Sequence, residues 1–309
     1  MKLFLGVDGG QSSTTALVGD ESGRVVGVGR GGPCNHVGKA EGREKFLRAV
    51  GGCLRAAGFE RAEFDAACLG FSGGAADKEA YVRELIKAKR LLVTHDAAIA
   101  LTGATSGEPG VIAIGGTGSM AFGRNREGKT ARAGGWGYAF GDEGGGFDIV
   151  RQALRAALRE EEGWGPKTAL RDALVSSAGA TSANDLLHRF YTDEYPRERV
   201  AAFAKLVDRI ARDGDAVARE ILLAGAQQLA TLASAVRAQI FDGKAACGIS
   251  YLGGVFRSEI LLGRYRMLME LDEGNRVAEP EYGPAAGALI EAYRTAGLSV
   301  RLKDVPSEK

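Results

Sequence analysis

The sequence repeats one pattern twice. Residues 3–26 read LFLGVDGGQSSTTALVGDESGRVV, and residues 111–132 read VIAIGGTGSMAFGRNREGKTAR. Each stretch opens with a short apolar strand and enters a Gly-Gly turn rich in Ser and Thr. In the first this is Gly9-Gly10 with Ser12, Ser13 and Thr14; in the second it is Gly115-Gly116 with Thr117 and Ser119. A second strand follows, then a charged turn ending in glycine, Gly23 or Gly128. The spacing from the first Gly of the pair to that turn glycine is 14 residues in one copy and 13 in the other. A strand, Gly-rich hairpin, strand, turn and strand recurring about 105 residues apart predicts two similar domains, each carrying a Gly-rich hairpin.

The rest of the chain extends this into an α/β organisation. The spacing of Phe46, Leu47, Val50 and Leu54 predicts a helix over 41–58. A buried strand is expected over 66–71, ending at Ser72-Gly73-Gly74. A charged helix is expected over 78–89 with Tyr81, Val82, Leu85 and Ile86 on one face, and a short strand over 91–94 ends at His95-Asp96. Helix following strand in this way means α/β. From about 147 to 243 strand signals vanish and apolar residues recur at three and four, which reads as a helical insertion acting as lid or spacer. Thr181 or Ser182 can cap a helix there, Pro196 suits a first turn, and Gly214 punctuates two runs. Strand character returns at 248–252, before Gly253-Gly254, and Gly283-Pro284 opens a last helix to Ala296. The expected boundaries are a first domain over 1–106, completed by about 284–309, and a second over 107–283.

Composition removes several function classes. Lys plus Arg is 40 against 39 Asp plus Glu, a net charge of +1, without the basic excess of a nucleic-acid binder. Glycine is abundant, 46 of 309 residues, while proline is scarce at 7. That ratio suits tight turns and close backbone approaches of the kind phosphate sites need. Neither a membrane-length apolar run nor a signal-peptide pattern is present, so a cytoplasmic protein is expected. Cys34, Cys53, Cys68 and Cys247 show no metal spacing, and three histidines cannot make a His-rich metal site.

Three strand-to-turn junctions are candidate nucleotide contacts: Asp8-Gly9-Gly10-Gln11-Ser12-Ser13-Thr14, Gly115-Gly116-Thr117-Gly118-Ser119, and Gly253-Gly254 before a helix. Small residues there let backbone N–H groups approach an anion, and hydroxyls add donors. Two motif matches fail on context. Gly123 to Thr130 fits G-x-x-x-x-G-K-[ST], but the following Ala131-Arg132-Ala133-Gly134-Gly135 cannot sustain a helix, and the segment aligns with the charged turn 20–24. Gly27-x-Gly29-x-x-Gly32 precedes Pro33 and opens no helix. Among the acids, Asp8 ends a strand and could hold Mg²⁺ or bond its own turn. Asp96 ends another strand and could cap the next helix or accept a proton from a substrate hydroxyl. Gly134-Gly135-Trp136-Gly137 with Gly141-Asp142-Glu143-Gly144 suits sugar stacking and hydroxyl recognition, or a structured loop.

These residues resemble a known group. The three junctions look like the two phosphate motifs and the adenosine motif of the actin, hexokinase and heat-shock-chaperone superfamily. Cys34-Asn35-His36, Leu69-Gly70-Phe71-Ser72-Gly73-Gly74, His95-Asp96-Ala97-Ala98 and the GGWG and GDEG segments resemble the N-acetylglucosamine kinase family of BadF/BadG/BcrA/BcrD ATPase type. The resemblance implies two ribonuclease-H-like domains with a central cleft for ATP and a small-molecule sugar. It further implies Asp96 as general base; Gly9, Gly10, Ser12, Gly116, Thr117, Gly118, Gly254 and Ser258 at the nucleotide; Asn35, Ser72, Gly73, Gly135, Trp136 and Asp142 at the sugar; Asp8 at Mg²⁺; and a homodimer.

Overall fold

The computed structural model describes residues 1–10, 13–34, 40–73, 78–243 and 245–307. The chain divides into two compact units, Met1–Gly110 with Glu279–Lys309, and Val111–Ala278. The first unit begins with strands β1 (Leu3–Gly9), β2 (Thr14–Asp20) and β3 (Val25–Gly31). It continues through helix α1 (Ala40–Ala56), β4 (Glu63–Phe64), β5 (Ala66–Phe71), α2 (Glu79–Leu85), β6 (Lys87–Ala88), β7 (Leu91–His95) and α3 (Asp96–Ala104). The second unit has β8 (Gly110–Gly115), β9 (Ser119–Arg124) and β10 (Thr130–Gly134). Six helices follow: α4 (Gly146–Glu161), α5 (Leu170–Ser177), α6 (Ala183–Phe190), α7 (Arg197–Ala201), α8 (Ala204–Arg212) and α9 (Ala216–Ile240). It ends with β11 (Cys247–Leu252), a 3₁₀ turn over Gly254–Arg257, α10 (Glu259–Met269) and β12 (Asn275–Val277); α11 (Pro284–Thr295) returns to the first unit.

The two main sheets have the same order, β3-β2-β1-β5-β7 and β10-β9-β8-β11-β12. In the first, β1 to β3 pair antiparallel, while β5 runs parallel to β1 and β7 parallel to β5. In the second, β9 and β10 are antiparallel and β11 and β12 parallel. The sequence echo is therefore a structural one, down to hydrogen bonds. Asp20 N–H donates to Arg24 O at 3.0 Å, and Asn125 N–H donates to Lys129 O at 2.9 Å. The side-chain Oδ1 of Asp20 accepts from Arg24 N, and that of Asn125 from Lys129 N. The P-loop-like match at 123–130 is this β9–β10 turn, and the dinucleotide-like match at 27–32 runs along β3.

β1 is buried on both faces, which explains its apolar run. On one face α1 packs with Phe46, Val50 and Leu54 buried. The other face takes α11, through Leu289 and Tyr293. At Gly6 a Cβ would lie 2.2 Å from Leu289 N, so only glycine admits the helix this close.

Two expectations need correction. The charged helix over 78–89 stops at Leu85; Ile86 is extended, and Lys87–Ala88 pairs with Glu63–Phe64 in a two-stranded sheet. Tertiary pairing overrides the helical pattern there. The segment 147–243 is helical throughout most of its length, but α4 and α9 are not a lid or spacer. Val150, Ala153, Leu229 and Val236 share one core with the sheet residues Val111, Ala113 and Ile249. At the finer scale, Ser182 caps α6, accepting from Asp185 N, and Pro196 sits one position earlier than expected, at the N-cap of α7.

Asp215 ties the helices together. Its carboxylate accepts from Ala218 N at 2.8 Å as the cap of α9, and from Ala169 N at 2.7 Å and the Thr168 hydroxyl at 2.9 Å. Burial opposes the charge on Asp215, but these bonds outweigh it and hold the carboxyl below its ordinary 3.8. The contribution is therefore fully present above that value and is lost as pH falls through the lower folded value. Asp215→Ala should cost about 2 kcal/mol in denaturant unfolding at pH 7, and less at acid pH.

Candidate active site

In the first unit the carboxyl ends of β1, β5 and β7 bring Asp8, Ser72 and Asp96 to one edge of the sheet. Ligands of α/β sheets bind at such edges. Asp8 is half-buried, opposite Thr15 on β2 and Gly70 on β5. Asp96 is the first residue of α3, where the helix dipole favours a negative charge. The cap is supplied by His95, whose Nδ1 accepts from Ala98 N at 3.2 Å, so the capping reading of Asp96 gives way. Asp96 Oδ1 accepts from Ala97 N at 2.8 Å, and Oδ2 accepts from the Ser72 hydroxyl at 2.6 Å. Gly9 must be glycine: a Cβ there would lie 2.3 Å from the Phe71 ring and 2.5 Å from Cys34 Sγ. Gly73 follows Ser72 with φ +77° and open space around it. Ser12 and Asn35 lie outside the described residues.

In the second unit Gly116, Thr117, Gly254 and Ser258 meet around a cavity of about 580 Å³. Gly253, at φ +110°, presses against Gly115 O, which brings the loop after β11 onto the β8 turn. Ser258 caps α10, its hydroxyl accepting from Leu261 N at 3.2 Å. Lys205, Asp208 and Arg212 of α8, with Glu198 of α7 and Arg257, make up the charged part of the wall. Sequence reasoning missed α8. Its charges alternate with a buried apolar face, so it reads like any solvated helix.

The backbone donors expected to meet an anion are partly spent on the hairpins themselves. Gly10 N–H donates to Ser13 O at 2.9 Å and Gly116 N–H to Gly118 O at 3.0 Å. Gly118 is outside the cavity wall. It instead seats Asp142: a Cβ on Gly118 would lie 2.4 Å from that carboxylate. Asp142 is buried and holds φ +65°, a backbone region uncommon outside glycine. Its Oδ2 pairs with Arg197 Nη2 at 3.0 Å, and its Oδ1 accepts from Ser119 N at 3.4 Å. Arg197, also missed from sequence, lies 4.7 Å over the Tyr138 ring. Gly135, at φ +75°, donates its N–H to Ser119 O, which ties the GGWG loop to the β9 strand. Trp136 is 68% exposed and carries the Arg132 guanidinium 4.9 Å over its ring.

All four cysteines are buried. Burial pushes the Cys53 thiol up to about 12 and Cys247 to about 11. Among the described residues no helix is long and apolar enough to cross a membrane.

The sequence profile of the BadF/BadG/BcrA/BcrD ATPase family matches residues 5–292. An N-acetylmuramic acid/N-acetylglucosamine kinase of Clostridium acetobutylicum is 31% identical over 94% of this chain and 98% of its own. An N-acetyl-D-glucosamine kinase of Dictyostelium discoideum is 28% identical over 95% and 98%. In fold, the chain is similar to the crystal structure of a protein from Chromobacterium violaceum described as an N-acetylglucosamine kinase. The TM-score is 0.70 at 23% identity, over 94% of this chain and 98% of that one.

Proposed function

The chain belongs to the BadF/BadG/BcrA/BcrD ATPase family, and on that premise we propose that it is an ATP-dependent kinase for an amino sugar, N-acetylglucosamine at its 6-hydroxyl. Its two units are then ribonuclease-H-like domains of the actin-like ATPase type, a reading supported by their shared strand order. The observation that carries the function is the 580 Å³ cavity around which Gly116, Thr117, Gly254 and Ser258 meet. It suits a nucleotide, with Lys205 and Arg257 supplying positive charge near its anionic part.

Phosphoryl transfer depends on positioning and charge stabilisation more than on covalent help from the protein. Asp96 accepts the proton of the sugar hydroxyl as the hydroxyl oxygen bonds to the γ-phosphorus and ADP leaves. In the second unit Trp136 offers an apolar face for the sugar ring, with Gly135 beside it in the chain and Asp142 following Gly141, whose Cβ position lies 3.4 Å from the Trp136 side chain. Among the described residues no group of three acids, histidines or cysteines could cage a metal. A single carboxylate at Asp8, beside the Gly9-Gly10 turn, still fits Mg²⁺, which takes one or two carboxylates and completes its shell with water and phosphate oxygens. Bound there, the ion would neutralise phosphate charge. The competing reading, an activator ATPase holding an iron–sulfur cluster, would need accessible thiolates. The burial of all four cysteines favours the kinase.

An ADP-release assay with Mg-ATP tests the proposal against N-acetylglucosamine, N-acetylmuramic acid, glucosamine and glucose, with a no-sugar control. Release stimulated by N-acetylglucosamine is expected. Sugar-independent hydrolysis would refute the kinase reading, and preference for another of the four would correct the substrate. The cavity has its own test. A Cβ at Gly254 would meet open space, so a larger side chain there enters the cavity and not the core. Gly254→Val should raise the KM for ATP about 10- to 100-fold, equivalent to about 1.4–3 kcal/mol, while thermal unfolding stays unchanged. A normal KM would remove the nucleotide from this cavity.

A further inference from the structure

We infer that Ser72 is a positioning residue that holds the Asp96 carboxylate in its working orientation, and is not a contact for the sugar. The inference rests on the kinase reading and on Asp96 as its base. β5 and β7 are parallel neighbours whose last register pair is Phe71 with His95. Ser72 and Asp96 are the residues that directly follow the two strands, so the fold sets them side by side. The Ser72 hydroxyl donates to Asp96 Oδ2 at 2.6 Å. A hydroxyl has one proton, so this bond uses the whole donor capacity of the side chain.

The backbone of Ser72 is held as firmly. Its N–H donates to Gly9 O at 3.2 Å, which fastens it to the end of β1. Its carbonyl accepts from Lys78 Nζ at 3.0 Å. Lys78 is only 4% exposed and its ammonium lies 5.7 Å over the Phe71 ring, so the anchor itself has little freedom. With Ala97 N–H on Oδ1 and the Ser72 hydroxyl on Oδ2, the carboxylate has one preferred rotation, and a lone pair on each oxygen remains to meet a substrate proton. A hydrogen bond to a charged group is worth more than a neutral one, and a base misaligned by a small rotation loses proton-transfer efficiency.

Ser72→Ala should lower kcat about 10- to 100-fold and leave the KM for ATP and for sugar within about 3-fold. Ser72→Thr keeps the hydroxyl and should recover most of the rate. In an Asp96→Asn background, Ser72→Ala should change the residual rate by less than about 2-fold, because a positioning residue has nothing left to position. A rise in sugar KM with Ser72→Ala in both backgrounds would make Ser72 a sugar contact and overturn the inference. So would a wild-type kcat for Ser72→Ala, or the same loss of rate in Ser72→Thr with an unchanged melting temperature. Failure of the underlying reading looks different: Asp96→Asn alone would then turn over at the wild-type rate, whatever Ser72 does.

Discussion

Asp96→Asn is expected to lower kcat about 10²- to 10⁴-fold, the range for loss of the general base proposed at this position, and to leave nucleotide affinity within about 2-fold. Asparagine is close to isosteric with aspartate. It can still receive the Ala97 N–H and the Ser72 hydroxyl on its carbonyl oxygen, one at a time, so the start of α3 should hold. It cannot take a proton from a hydroxyl at neutral pH. Nucleotide affinity should be preserved because the residues proposed to bind the nucleotide in the cavity, Gly116, Thr117, Gly254 and Ser258, are untouched. Steady-state ADP release and calorimetric nucleotide titration separate the two effects. Turnover near the wild-type rate would remove Asp96 as the base, and a parallel collapse of nucleotide affinity would make its role structural.

Gly287→Leu is expected to destabilise the first unit by about 3 kcal/mol or more, at the upper end for overpacking. α11 and α3 cross with almost no side chain between them. A Cβ on Gly287 would lie 1.9 Å from Ile99 O and 2.4 Å from Gly103 N, and a Cβ on Gly103 would lie 2.3 Å from Gly283 O. The obstructing atoms are backbone, so no rotamer change relieves them. Either α11 lifts away from the sheet, exposing Leu289 and Tyr293, or the unit unfolds. Gly52 in α1 provides the opposite case. A Cβ there meets nothing within 4 Å, so Gly52→Ala should raise stability by about 0.5–1 kcal/mol through lower unfolded-state entropy. Urea unfolding of both variants checks the contrast. A Gly287→Leu protein as stable as wild type would contradict the helix crossing.

Part of the site was legible because its chemistry sits in local turns. The Asp8-Gly9-Gly10 and Gly115-Gly116-Thr117 hairpins, the Gly253-Gly254 turn and the Asp96 junction each declare themselves within a few residues. A strand ending in glycine and a small polar residue has few alternative conformations. Of the eight residues that the resemblance put at the nucleotide, Gly116, Thr117, Gly254 and Ser258 line one cavity, Gly118 does not, Gly9 and Gly10 belong to the first unit, and Ser12 lies outside the described residues. Ser72 was singled out at the sugar by resemblance, and its bond to Asp96 was not legible, because its hydroxyl reaches a carboxylate 24 positions away.

The sequence by itself determined the duplicated strand–hairpin–strand units, the α/β class, the turn at 20–24 echoed at 125–129, and the failure of both misleading glycine motifs. All of these depend on hydrophobic period and turn chemistry over short windows. Only the tertiary structure decided that α4 and α9 are core, that Lys87–Ala88 leaves its helix to pair with Glu63–Phe64, and that α8 lines the cavity. It alone placed Arg197 on Asp142, 55 positions away, and Gly118 beneath that carboxylate. These outcomes depend on which distant surfaces meet. A charged helix face or a small residue has the same local preferences whether it borders solvent, a ligand cavity or another backbone, and only packing distinguishes them.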